Sequence, residues 1–303
     1  MSNYSSRRSF LRTSAAAAAG LVSLNRRGSA IEPIGRSRPS HLKLSIAAYS
    51  YRDHLTGKKT PHMTMYDFVD RAADMGLDAI EPTSYYFAPE ATPNQLNKFK
   101  QYAFELGLDI SGTAIGNNFC LPSGPARDRD IAHTKAWIDR AAELDAPVIR
   151  IFAGSVPKGD DETSAVGRAI AGIKEVLPYA ATKGIMLALE NHGGITATPD
   201  QLLKLVQAID APNFGVNLDT GNFHTEDPYG DLARIAPYAV NVQVKTEISR
   251  RGQKKENADL AKLIAILREA KYSGYVVLEH EAAEDPLTSI PKHIKMLRSL
   301  IAG

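Results

Sequence analysis

The sequence predicts a single (β/α)8 TIM barrel over residues 43–303, on three observations. Short β-rich runs alternate eight times with amphipathic stretches, over the ~250 residues such a barrel occupies. Several of those stretches stop on a glycine just before the next run: Met75-Gly76, Leu106-Gly107 and Lys183-Gly184, the left-handed helix stop that precedes strand re-entry. The last four runs each carry, at or near their C-terminal end, a side chain with an oxygen donor.

The runs expected as strands are Lys43–Ala48, Leu77–Glu81, Leu108–Ile115, Pro147–Ala153, Ile185–Asn191, Phe214–Asp219, Val240–Lys245 and Tyr275–Glu279. Helices are expected between them, for example at Tyr66–Met75, Pro93–Leu106, Asp130–Leu144, Ala165–Lys183, Thr198–Ile209 and Asn257–Ala270. A doubly wound open sheet is the runner-up. It is disfavoured because no glycine-rich phosphate turn follows the first strand.

Strand alternation gives each run a direction. In Asn241-Val242-Gln243-Val244-Lys245 the valines share one face and the polar residues the other. Asn217 pairs with Asp219 in the same way, Glu190 with the small Ala188, and Glu279 with Val277. The outer face of a barrel packs on helices and is apolar, so the polar face is the lumen. Its charge then sits at the C-terminal mouth, where barrel active sites lie.

Strands five to eight therefore deliver Glu190, Asp219, Gln243 and Glu279 to one rim. Converging carboxylates without a cation repel and raise one another's pKa. Three carboxylates and an amide oxygen are better explained by one divalent ion, and all-oxygen donors favour hard cations.

These segments resemble the xylose isomerase-like TIM barrels, a family of sugar and sugar-phosphate isomerases and epimerases. The resemblance rests on Leu189-Glu190-Asn191-His192-Gly193, Asn217-Leu218-Asp219-Thr220-Gly221-Asn222, Val242-Gln243-Val244-Lys245 and Val277-Leu278-Glu279. It implies that Glu190, Asp219 and Glu279 bind the metal. Gln243 stands where histidine is common, so an amide oxygen replaces a nitrogen ligand. The expected ion is Mn²⁺ or Mg²⁺, with Co²⁺ or Zn²⁺ as alternatives. The glutamine also brings the chain close to lyases of the superfamily, such as dehydroshikimate dehydratases.

The expected chemistry follows from the cage. The ion chelates a ketone oxygen and its neighbouring hydroxyl, and an ene-diolate is stabilised. Glu190 and Glu279, three strands apart on the ring, are the expected catalytic pair: one takes the proton and the other returns it. The result is epimerisation or isomerisation of a small carbohydrate. Departure of a β-hydroxyl would make the enzyme a lyase, and a non-catalytic carbohydrate-binding barrel is a further alternative. His192, Lys245, Glu81, Arg150, Asn222 and His224 are expected to bind substrate. The plainer account of Arg150 is a pairing with Glu81, and of Lys245 a rim salt bridge. Tyr49, Tyr51, Tyr85, Tyr86 and Phe119 are candidates for sugar-stacking faces.

Composition excludes several classes. The net charge is +2 from 36 basic and 34 acidic residues. This gives no bulk field for nucleic acid or a membrane surface. The eight histidines are scattered, unlike the histidine-rich, multi-zinc site of a related-fold nuclease. The single cysteine, Cys120, excludes an intrachain disulfide framework and a thiolate-rich zinc site; it is expected to pack as a small residue at a loop edge. Oligomeric state is left open.

The first segment reads as an address. Ser6-Arg7-Arg8-Ser9-Phe10-Leu11 precedes a weakly apolar stretch with five consecutive alanines, followed by small residues at Gly28, Ser29 and Ala30. The stretch is too short to span a bilayer, which takes ~20 apolar residues, so no stable membrane insertion is expected. The arginine pair with Phe-Leu resembles a twin-arginine export signal. Residues 1–30 are expected to be that signal and 31–42 a tether, with the twin-arginine machinery as partner of the precursor and the periplasm, or another exported location, as destination.

Overall fold

The structure, a computed structural model, describes residues 32–303, so the expected signal peptide lies outside the described residues. The ring strands are β1 (Leu42–Ala47), β2 (Ala79–Glu81), β3, β4 (Val148–Ile151), β5 (Met186–Glu190), β6 (Phe214–Asp219), β7 (Ala239–Val244) and β8 (Gly274–Leu278). All pair in parallel, and β8 pairs with β1. β3 is split into Asp109–Ile110, which pairs with β2, and Thr113–Ala114, which pairs with β4. The ring thus closes through one strand interrupted at Ser111-Gly112. A side chain at 112 would put its Cβ 2.8 Å from Val148 Cγ1 and 3.5 Å from Glu81 Oε2, so glycine lets β4 and the lumen close in at the seam.

The helices are α1 (Arg52–Leu55), α2 (Met65–Asp74), α3 (Pro93–Glu105), α4 (Pro125–Glu143), α5 (Glu162–Thr182), α6 (Pro199–Ile209), α7 (Pro228–Ile235), α8 (Leu260–Glu269) and α9 (Pro286–Ala302). Local chemistry starts and stops them. Thr64, Thr92 and Thr198 form capping boxes with Asp67, Gln95 and Gln201, and the last two are followed by a proline at the first helical position. Gly76, Gly107 and Gly184 have φ of 62°, 76° and 71°, the left-handed conformation their spacing predicted.

Alternation sorts the strands as expected. Leu187, Leu189, Leu218, Val242, Val244, Val276 and Leu278 are buried against the helical layer. Each is worth about 1.5–3 kcal/mol of transfer free energy. The opposite face carries Ser45, Glu81, Asn217, Asn241 and Gln243, all buried in the lumen. Cys120 is buried, and burial pushes its thiol up to about 11. Tyr51 and Phe119 are core residues, packed on Phe68 and Gly172, and not stacking faces. The stretch before β1 is extended and docked at the base: Ile34 N donates to Pro237 O (3.1 Å), and Arg36 Nη2 donates to Ala239 O (2.5 Å).

Candidate functional site

The lumen floor is a closed ring of hydrogen bonds. Asn241 Nδ2 donates to Glu81 Oε2 (2.7 Å) and to Asn217 Oδ1 (2.8 Å). Asn217 Nδ2 donates to Gln243 Oε1 (2.8 Å), and Gln243 Nε2 donates to Glu81 Oε1 (2.5 Å). Glu81 is fully buried. Burial raises its pKa, and the two amide donors oppose that rise. Glu81 is thus part of the floor, and Gln243 has both ends of its amide engaged there.

Arg150 corrects one expectation. It does not hydrogen-bond Glu81; its Nε lies 3.0 Å from Glu190 Oε2. The register explains this: Arg150 faces Ala188 on neighbouring β5, two residues before Glu190, whereas β3 separates it from β2. Arg150 Nη1 also donates to Ile115 O (2.7 Å), and the guanidinium covers the Phe152 ring at 4.0 Å.

Lys245 reaches two members of the expected cage. Its Nζ is 3.1 Å from Asp219 Oδ2, 3.5 Å from Glu279 Oε2 and 2.6 Å from Glu281 Oε2, and it donates to Asn222 Oδ1 at 3.1 Å. Asn222 Nδ2 in turn donates to Glu190 Oε1 (2.8 Å). One continuous chain therefore runs from Arg150 through Glu190, Asn222 and Lys245 to Asp219, Glu279 and Glu281. Asn191 steadies it by exchanging two hydrogen bonds with the Asp219 backbone, at 2.8 and 2.9 Å.

The electrostatics of this chain are unbalanced toward acid. Burial pushes Glu190 up to about 7 despite Arg150. Burial also raises Asp219 and Glu279, although Lys245 pulls both down. Lys245 itself is held well above its ordinary value: burial alone would lower it, but Asp219, Glu279 and Glu281 outweigh that. Counting Glu81, five carboxylates face two cations. Asp219 Oδ2 is buried and accepts no well-formed hydrogen bond, although Lys245 lies at ion-pair distance. A surplus of buried carboxylates with an orphaned acceptor fits a hard dication, provided that Lys245 gives way.

The remaining expected residues lie farther out. His192 is exposed, with its ring 4.3 Å from Phe152, and it lines a cleft with Asn117, Asn118 and Thr196. Partial desolvation lowers its pKa, with Arg150 and Lys245 acting in the same direction. His224 is exposed and shares a cleft of about 110 Å³ with Asn222, Lys245, Glu247 and Glu281. Tyr85 reaches Arg150 Nη2 with its hydroxyl (3.5 Å) and stacks edge-on with Tyr49. Sequence reasoning missed Glu281. The signal was available: in Glu279-His280-Glu281 the two acids are two apart and so share a side.

A family model described as the xylose isomerase-like TIM barrel matches residues 69–300. The 3-oxo-isoapionate decarboxylase of Pectobacterium atrosepticum is 23% identical over 206 residues, covering 67% of this chain and 68% of the relative. The 2-oxo-tetronate isomerase of the same organism is 26% identical over 231 residues, covering 70% and 86%. Among solved structures, D-psicose 3-epimerase in the presence of D-fructose superposes with a TM-score of 0.69 at 20% identity, covering 86% of this chain and 97% of that one. The chain is a member of the xylose isomerase-like TIM barrel family.

Proposed function

We propose that the chain is a metal-dependent isomerase or epimerase of a small keto-sugar, working after export from the cytoplasm. The observation that carries this reading is the single buried network that joins Glu190, Asp219 and Glu279 at the barrel mouth. Further support comes from relatives named as an isomerase and a decarboxylase of small oxo-acids or oxo-sugars. Glu190, Asp219 and Glu279 would hold the ion, with Gln243 as fourth ligand. A bound Mn²⁺ or Mg²⁺ supplies Lewis acidity toward a ketone oxygen and its neighbouring hydroxyl.

The chain's own residues do the rest. One of Glu190 and Glu279 removes the proton beside the carbonyl, and the other returns it, on the opposite face or at the next carbon. Arg150 and Asn222 fix the Glu190 carboxylate by two separate contacts. Loading an ion requires Lys245 to release Asp219 and Glu279; Glu281 and Asn222, which line the outer cleft with it, remain as its partners. Lys245 is then placed to receive an oxyanion or carboxylate of the substrate. A lyase is the second reading, favoured by the relative named as a decarboxylase: loss of a carboxyl group or a β-hydroxyl proceeds through the same kind of enolate.

The test is solvent deuterium exchange into a panel of ketoses with Mn²⁺, on the wild type, Glu279→Gln and Gln243→His. Glu279→Gln keeps an oxygen donor but loses the base, so exchange is expected to fall by about 10²–10⁴-fold while metal is retained. Gln243→His is expected to keep metal and shift preference toward softer ions. Exchange at the wild-type rate in Glu279→Gln would remove the two-glutamate mechanism. Release of water or carbon dioxide without exchanged ketose would select the lyase.

A further inference from the structure

Next to Glu279 in the chain, at the end of β8, three groups converge that the cage does not use. His280 follows β8 and is buried, Glu284 lies exposed in the loop before α9, and His293 is half-buried on α9. One donor atom from each lies within 4.8 Å of the others.

The hydrogen bonds around Ser289 settle which imidazole nitrogens are free. Ser289 Oγ donates its only hydrogen to Asp285 O (2.9 Å). Toward His280 Nε2, 2.9 Å away, the same oxygen must therefore accept, so His280 carries its proton on Nε2 and a lone pair on Nδ1. The Ser289 carbonyl can only accept, so His293 Nδ1, at 3.0 Å, is protonated and Nε2 keeps the lone pair. One residue thus fixes both tautomers and leaves each ring a free donor nitrogen. This is the arrangement of metal-binding histidines, whose second N–H is anchored to a carbonyl or another oxygen. The His280 backbone is pinned as well: its N–H donates to Ser50 Oγ (2.9 Å) and its carbonyl accepts from Arg52 Nη1 (3.0 Å).

We propose that His280, Glu284 and His293 form a second metal site, distinct from the all-oxygen cage, that takes Zn²⁺ or a similar borderline cation and fastens the loop after β8 to α9. Two imidazoles and one carboxylate are a zinc donor set with an open fourth position. Zinc bonds of 2.0–2.1 Å set tetrahedral donors roughly 3.4 Å apart, and the exposed Glu284 side chain supplies the closing movement. The loop so fastened carries Glu279 and Glu281, so the ion would act on the mouth by positioning. The site stands whether or not the cage holds metal.

The experiment uses chelator-stripped protein titrated with Zn²⁺ against a chromophoric competitor, and with Co²⁺ for its visible spectrum. It compares the wild type, His293→Ala, His293→Gln, Glu284→Ala and the cage variant Asp219→Asn. The cage variant is expected to keep one Zn²⁺ and a Co²⁺ spectrum with nitrogen ligation. His293→Ala and His293→Gln are expected to weaken that binding by about 100-fold or more, because altering residues that merely support a ligand already costs 10–100-fold. Glu284→Ala is expected to weaken it by a smaller factor. Circular dichroism matching the wild type establishes that each variant is folded. The proposal is overturned if folded Asp219→Asn binds no Zn²⁺, or if both His293 variants bind it as tightly as the wild type.

Discussion

Replacing Lys245 with methionine removes the ammonium and keeps most of the stem. In the metal-free protein that ammonium is within 3.5 Å of three carboxylates, and Asp219 and Glu279 are almost wholly buried. Breaking a buried ion pair from one side costs about 3–5 kcal/mol, because the partner charge is left uncompensated. Here the acids have an escape, since they can bind protons. Burial already pushes Glu190 up to about 7 and holds Glu279 well above the 4.5 of an ordinary glutamate. A carboxyl whose folded pKa lies above its unfolded value costs stability as pH rises from the lower value to the higher. Without Lys245 the folded values move higher still, so the variant's deficit widens with pH. At pH 9 in EDTA the loss is expected at about 3 kcal/mol. Taking ~2 °C per kcal/mol for a chain of this size, Tm falls by about 6 °C. At pH 6 the deficit should be under half that. Added Mn²⁺ should recover much of it at pH 9, because the ion replaces the missing charge. Scanning calorimetry of both proteins at the two pH values decides the matter. A variant that melts within about 1 °C of the wild type at pH 9, or an equal deficit at both pH values, would refute the reasoning.

Gly172→Ala places a methyl group 2.9 Å from Phe119 Cδ1 and 3.2 Å from its Cβ and Cγ, inside the core. Overpacking of about 1–3 kcal/mol is expected to exceed the helix-propensity gain of about 1 kcal/mol, so urea unfolding should show a net loss; a net gain would mean that Phe119 yields freely. Lysine at both Arg7 and Arg8 is expected to hold the precursor in the cytoplasm on fractionation, and undiminished export would rule out the twin-arginine reading.

Much of this site was legible in the sequence because strands have a period of two. Alternation put Asn217, Asp219, Asn241, Gln243 and Glu190 on the lumen side, and the burial of all five agrees. Side-chain reach is where the reading stopped. Nothing in Val244-Lys245-Thr246 tells that a four-carbon stem bends back among three acids. Arg150 was matched with the wrong glutamate because two lumen-facing residues can be counted along strands but not measured across them; the register with β5 decides the partner. Tyr51 and Phe119 looked like mouth aromatics from their place after strands, yet the chain folds back there and buries them. The split of β3 left no signal except Gly112, one glycine among 22.

The floor of the barrel has a sense of rotation. A carboxylate can only accept, so Glu81 obliges both Asn241 and Gln243 to present nitrogen to it. Asn241 has a second N–H left, which goes to the Asn217 oxygen, and the Asn217 nitrogen must then meet the Gln243 oxygen. Turning any one amide over would set nitrogen against nitrogen or oxygen against oxygen. Glu81 therefore works as a compass for a residue 162 positions away in the chain: it decides which end of Gln243 faces away from it, and so which end the ion proposed for the cage would meet. A neutral glutamine at position 81 would present one amide nitrogen to a ring in which Asn241 already donates twice, so one of the four contacts would be mismatched whichever way the amides turned, and the orientation of Gln243 would no longer be fixed.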